Sequence, residues 1–232
     1  MPYSQEVSAV RLYLSSYQLG SDPQALVNLL GPNKHAAIIA NAMDLYPSPG
    51  REPRVRYQAS ALAKLGCAAE ELDLRQYFGR PGLAEKLTEF GLIWVHGGNS
   101  FVLKRAFEQS GFDQLLKAML ERNAVVYGGF SAALMMVMPT MRGIELCDDP
   151  VTVPEGYKSE FSQDSLGLIE YSIVPHYRSE HPESHLMEAV VEYMEQHRLP
   201  YRVLRDGEAI VVDGQRTWMA GKPTKISPPK YS

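Results

Sequence analysis

The chain predicts an α/β fold: a mostly parallel sheet with helices on both faces, in three layers. Three observations carry that prediction. Apolar runs rich in β-branched residues recur with helical stretches between them, the alternation expected of a parallel sheet covered on both sides. One such run, Ala124 to Tyr127, leads through Gly128-Gly129-Phe130-Ser131 directly into a helix-forming stretch, Ala132 to Met138. Near the end of the chain, Asp213-Gly214 separates two short strand-like runs, which reads as a hairpin closing one edge of the sheet.

The strands are expected, in order, at Val10 to Ser15, Ala36 to Ala40, Glu71 to Leu74, Leu92 to His96 and Ala124 to Tyr127, each a short apolar run. After the strand-to-helix junction come Leu168 to Val174, Tyr201 to Leu204, Glu208 to Val212 and Arg216 to Ala220. Helical composition or spacing marks Pro23 to Leu30, Arg54 to Leu65, Leu83 to Phe90, Phe101 to Gln109, Phe112 to Arg122 and Ser184 to His197. In the last of these, Met187, Val190, Val191 and Met194 recur at i, i+3, i+4, i+7, so one face of the helix packs on the sheet. Tyr46 to Pro53 and Asp148 to Ser165 read as loops near the carboxyl ends of strands, where open α/β sheets bind ligands. The tail Ser227 to Ser232, with Pro228-Pro229, is expected to fray.

The 232 residues, 45 % of them hydrophobic, are read as one α/β domain spanning 1–232. A net charge of -4 without a block of like charges argues against nucleic acid and anionic membranes as partners, leaving a small molecule or peptide. Cys67 and Cys147 belong to no Cys-x-x-Cys or Cys/His spacing, as suits free thiols in a reducing compartment. No basic start followed by an apolar stretch opens the sequence and no run reaches membrane-spanning length, so a cytoplasmic location is expected. A homodimer is a base-rate expectation.

Ser131 falls on the turn between strand and helix, where a strained backbone pushes a hydroxyl outward. Gly129 and Ala133, two before and two after it, are small enough for strand and helix to approach. The pattern departs from Gly-x-Ser-x-Gly by one methyl group, at Ala133. A serine needs a base, and of six histidines His176 is placed best, since Pro175 stops the strand ending at Val174 and leaves His176 at the mouth of the sheet. A carboxylate should orient that ring. Asp206 follows a strand later in the chain, with Glu208 two residues away as the alternative. Gly97-Gly98, after the strand beginning at Leu92, lets backbone approach a ligand, so the amides of Gly98 and Ala132 are the candidate oxyanion donors. His96 reads as a strand-end residue. His181 and His185, four apart, lack the His-Glu-x-x-His arrangement, and neither metal nor cofactor is expected.

With these residues together, the chain resembles the peptidase E (aspartyl dipeptidase) family of serine peptidases, whose flavodoxin-like fold is similar to that of class I glutamine amidotransferases. The resemblance runs from about Leu92 to Gly214, through Gly97-Gly98-Asn99-Ser100, Gly129-Phe130-Ser131-Ala132-Ala133, Val174-Pro175-His176 and Asp206-Gly207. It implies a serine peptidase acting on dipeptides or short peptides through an acyl-enzyme. Ser131 would be the nucleophile, His176 the base, Asp206 the orienting acid, Gly98 and Ala132 the oxyanion hole, and Asn99 and Arg178 substrate contacts. The family has a glutamate at Asp206 and glycines at Ala133 and His96. Those departures leave a second reading, a catalytically impaired relative that binds a small peptide or partner in the same crevice.

Overall fold

The computed structural model describes residues 10–46 and 50–226. Residues 1–9, residues 47–49 of the loop expected over Tyr46 to Pro53, and the tail from Ser227 lie outside that range. Strand β1 (Arg11–Ser15) is followed by α1 (Gln24–Leu29), β2 (His35–Ile39), α2 (Arg51–Ala63) and β3 (Ala68–Glu71). Then come α3 (Leu83–Leu87), β4 (Leu92–Val95), α4 (Ser100–Ser110), α5 (Phe112–Glu121), β5 (Val126–Phe130) and α6 (Ala132–Met135). The chain continues through β6 (Ser172–Val174), α7 (Ser184–Gln196), β7 (Tyr201–Val203), β8 (Ala209–Asp213) and β9 (Arg216–Ala220).

Seven strands form one sheet in the order β3-β2-β4-β5-β1-β8-β9. The first five pair in parallel, and β8 and β9 add an antiparallel edge with Asp213 opposite Arg216, the expected hairpin. Successive side chains of the central strands enter different cores. Leu12, Leu14, Ile93, Val95 and Tyr127 pack on one face, whereas Tyr13, Leu92, Trp94 and Val126 pack on the other. This period of two is what a sheet covered on both sides demands. Each such side chain withdrawn from water contributes about 1.5–3 kcal/mol, which is why the central strands set the frame.

Three strand readings shift: β6 occupies only Ser172–Val174 of the expected Leu168 to Val174, and two others shift for identifiable reasons. The edge strand runs over Ala68–Glu71 and not Glu71 to Leu74: its residues are largely exposed, so apolar content pointed instead to Leu72 and Leu74. Leu74 in fact opens a 3-10 turn capped by Asp73, whose side chain accepts from the Arg75 amide. Strand β5 extends through Gly128 and Gly129 to Phe130, beyond Tyr127. Neighbouring groups leave no room there for a side chain: a Cβ on Gly128 would lie 3.1 Å from the Trp94 ring, and one on Gly129 2.5 Å from the Val95 carbonyl oxygen.

β6 and β7 lie outside the main sheet as a parallel pair. Val174 of β6 packs with Met187, Val190, Val191 and Met194, the predicted stripe of α7. This small layer continues past its strand ends: the Leu204 amide donates to the Val174 carbonyl (2.9 Å) and the Tyr177 amide to the Leu204 carbonyl (3.0 Å). Those two bonds hold the segment carrying His176 beside the segment carrying Asp206. Among the described residues, no helix is long and apolar enough to cross a membrane.

Candidate active site

Because β4, β5 and β1 are adjacent and parallel, their carboxyl ends bring Gly97, Ser131 and Ser16 to one edge. Ser131 has φ 54 and ψ -115, a conformation rarely adopted by a side-chain-bearing residue. The sequence enforces it: β5 must end and α6 begin within one residue, and Gly129 leaves the space that Ala133 occupies, since a Cβ there would sit 2.5 Å from the Ala133 methyl. The Tyr127 hydroxyl donates to the Ala133 carbonyl at 2.7 Å and ties strand to helix from below. The extra methyl at Ala133 is thus accommodated, fully buried. Ala132 opens α6, where a first-turn amide has no carbonyl four residues back. Gly97 touches the elbow directly, for a Cβ on it would lie 2.9 Å from that of Ser131. Gly98, at φ 138, runs so close to the Ala42 carbonyl that a Cβ would come within 2.5 Å of its oxygen.

His176 is fully buried and also has a positive φ, 58. Its Nδ1 donates to Asp206 Oδ1 at 2.8 Å. The same carboxylate oxygen accepts from the Ser16 hydroxyl (2.8 Å), whose oxygen in turn accepts the His176 backbone amide (2.8 Å). Burial raises the Asp206 carboxyl, yet the bond to His176, its charge and the Ser16 hydroxyl bring the net value below the ordinary one. Glu208 is engaged elsewhere, accepting the Arg205 amide at 2.8 Å to close the turn, so Asp206 is the carboxylate that meets the ring. With Nδ1 committed, Nε2 of His176 is buried and has no hydrogen-bond partner among the described residues, Ser131 included. The structure therefore brings His176 and Asp206 together and leaves the Ser131 to His176 bond unmade.

Ser131 opens into a cavity of about 240 Å³, lined also by His96, Gly97, Arg54, His181 and Glu183. A second cavity, about 360 Å³, contains Arg178, Asp206 and Lys225 but not Ser131. Tyr17, His181 and Pro182 line both and form the partition. Arg178 thus faces away from the nucleophile's cavity: its guanidinium pairs with Glu188 at 2.8 Å and lies 4.8 Å from the Tyr177 ring centre. Asn99 serves its own loop. Its Oδ1 caps α4 by accepting the Val102 amide (2.9 Å), and its Nδ2 donates to the Asp149 carbonyl (2.9 Å).

Several neighbours were not assigned to the site by sequence. Ser16 carries no motif, although its place just past β1 at the sheet's carboxyl edge was a usable signal. His181 stacks on His176 with ring centres 3.7 Å apart and 11° between planes, and burial together with the His176 charge pushes it down to about 4. Asp148 is held to the α4 amide of Ser100 at 2.8 Å, and burial raises its carboxyl. His96, expected as a strand-end residue, lies in the cavity wall. Burial pushes it down to about 4, and its Nδ1 donates to the Gly97 carbonyl at 2.7 Å.

The sequence model of peptidase family S51 matches residues 27–219, over four fifths of the chain. Peptidase E of Streptomyces coelicolor is 32 % identical over 143 residues, covering 59 % of this chain and 55 % of that protein. A Drosophila melanogaster protein named "Probable alpha-aspartyl dipeptidase" is 30 % identical over 148 residues, 61 % of this chain and 58 % of its own length. The aligned stretch spans a little over half of each of these relatives. In three dimensions, a Listeria monocytogenes EGD-e protein described as a "Putative Peptidase E Protein" superposes with a TM-score of 0.71 at 24 % identity, covering 92 % of this chain and 98 % of that one. The fold, with its elbow at the edge of a mostly parallel sheet, and the sequence match over most of its length agree: the chain belongs to peptidase family S51.

Proposed function

We propose that this protein is a serine peptidase hydrolysing dipeptides or short peptides through an acyl-enzyme. The observation that carries the reading is the Asp206–His176 pair at 2.8 Å, with a buried Nε2 left without a partner, together with a serine held at φ 54 on a strand-to-helix turn. Ser131 attacks the scissile carbonyl while His176 takes its proton at Nε2 and later passes it to the departing amine. Asp206 fixes the tautomer that leaves Nε2 unprotonated. The Gly98 and Ala132 amides receive the developing oxyanion. Water then hydrolyses the ester. A rotation of the Ser131 side chain or a small shift of the ring completes the serine–histidine bond, which in hydrolases often tightens only with substrate bound.

The name of the Drosophila relative points to an N-terminal aspartate as the residue recognised. In this chain the cation sharing a cavity with Ser131 is Arg54, not Arg178, which makes Arg54 our candidate for reading an acidic side chain. Replacing Ser131 with alanine removes turnover of short peptides; equal cleavage by that variant and the parent refutes the proposal. The unmade Ser131–His176 bond supports one competing reading, a non-catalytic relative that holds a peptide in the same cavity. A serine-directed phosphonate separates them: an adduct on Ser131 identifies an enzyme, and its absence from folded protein favours the binder.

A further inference from the structure

His181 and Glu183 take no part in the hydrolysis just described, yet their side chains converge on the base. One ligating atom from each of His176, His181 and Glu183 lies within 4.8 Å of the others. We propose that these three residues form a binding site for a transition-metal ion such as Zn2+, and that its occupation reversibly inhibits the enzyme by taking the lone pair of the catalytic base. The inhibitory part of this inference rests on the serine peptidase reading; the metal site itself does not.

The donor set is the argument. Nδ1 of His176 donates to Asp206, so the remaining lone pair is on Nε2, buried and without a partner. A carboxylate behind a histidine in this manner orients the ring and raises its basicity, as it does in metal sites. His181 Nδ1 accepts only the long 3.3 Å bond from the Glu183 amide and lies 3.9 Å from Glu183 Oε2. Among the described residues no lysine or arginine pairs with Glu183, whose side chain is 42 % exposed and can rotate. A tetrahedral ion with bonds of about 2.0–2.1 Å draws its ligands to roughly 3.3 Å from one another. The cluster must therefore contract by about 1.5 Å at most, with the two stacked rings splaying apart. Two imidazoles and one carboxylate prefer Zn2+, Cu2+ or Ni2+ to Mg2+ or Ca2+. His181 and Glu183 also line the cavity into which Ser131 opens.

The test uses ZnCl2 and the full-length Ser131→Ala protein, whose binding can be read without activity. Titration calorimetry should show one Zn2+ bound per chain, no heat with MgCl2, and at least a tenfold loss of affinity when His181→Ala or Glu183→Gln is added. His185→Ala, whose ring is turned to the Pro182 carbonyl, should leave binding unchanged. If His181→Ala does not fold, the exposed, isosteric Glu183→Gln carries the comparison. No stoichiometric binding, or affinity unchanged in both variants, overturns the site. In the wild-type enzyme, Zn2+ should abolish turnover and a chelator restore it; binding that leaves turnover intact overturns the inhibition. If the wild type hydrolyses no peptide but binding follows the pattern above, the site stands and the peptidase reading falls.

Discussion

His96 offers a direct measure of how strongly this edge of the sheet excludes charge. Its ring is 4 % exposed, packs on Phe130 with centres 4.8 Å apart, and finds one partner, the Gly97 carbonyl. Burial pushes it from the ordinary 6.5 down to about 4, with the Gly97 carbonyl acting against that change and Arg54 and Arg51 adding to it. The unfolded chain therefore takes up a proton near pH 6.5 that the folded protein refuses until about pH 4. A histidine with a depressed folded value leaves stability intact above its unfolded value and erodes it as pH falls through the gap. At about 1.4 kcal/mol per pH unit, roughly 2 kcal/mol is lost by pH 5 and about 3 kcal/mol by pH 4. His96→Asn keeps a donor near Nδ1 for the Gly97 carbonyl and removes the titration. Urea denaturation of both proteins from pH 7.5 to 4.5 reads the difference. The variant starts lower by about 1–2 kcal/mol because of the lost ring, the two stabilities meet between about pH 6 and pH 5, and below that the variant is the more stable. Profiles that run parallel over the whole range would refute the claim that the buried ring stays neutral.

Other perturbations test the proposed chemistry. Asp206→Asn should lower kcat by about 10³–10⁴-fold with little change in KM, because the wrong His176 tautomer is then favoured; a loss under tenfold in steady-state kinetics would remove Asp206 from the mechanism. Gly97→Ala places a methyl 2.9 Å from the Ser131 Cβ and 3.0 Å from the Phe130 ring, so kcat should fall sharply at a stability cost of about 1–3 kcal/mol by thermal denaturation. Arg54→Ala should raise KM for dipeptides with an N-terminal aspartate at least tenfold more than for neutral ones, and equal effects on both would exclude it as the reader of the acid.

The elements legible in the sequence were those whose residues face the same surroundings along their whole length. Leu92 to Val95 and the α7 stripe are buried by period alone, and both lie where their patterns put them. Edge strand β3 was displaced because an exposed strand carries no apolar signature, and β5 was cut short because Gly128 and Gly129 resemble turn residues. Their real cause is close packing by Trp94, Val95 and Ala133, which only the tertiary structure reveals. The positions of Ser131, His176 and Asp206 could be read because each comes within three residues of a strand's end, where chain position limits the region it reaches. Arg178 and Asn99 were not readable in the same way. A long side chain two residues past His176 can turn to either side of the Tyr17–His181 partition, and the ion pair with Glu188 draws Arg178 away from the cavity of Ser131.

That partition also bears on how His176, the proposed base, could be fully buried and still serve a cavity. His176 is covered on one face by the His181 ring and met at an edge by Tyr17, whose ring centre is 5.8 Å away. Its backbone is fixed by the Ser16 hydroxyl, and its Nδ1 by Asp206. With one nitrogen pinned and the ring held between aromatic neighbours, the remaining freedom is a small tilt that swings Nε2. A buried, unpartnered imidazole nitrogen is costly, and the tilt that relieves the cost is the one that meets a hydroxyl. Ser131, strained at φ 54 where β5 ends, carries the hydroxyl that the proposed mechanism asks this tilt to reach. In the proposed mechanism, the packing that excludes water from His176 also favours closure of the serine–histidine bond once a substrate displaces water from the cavity.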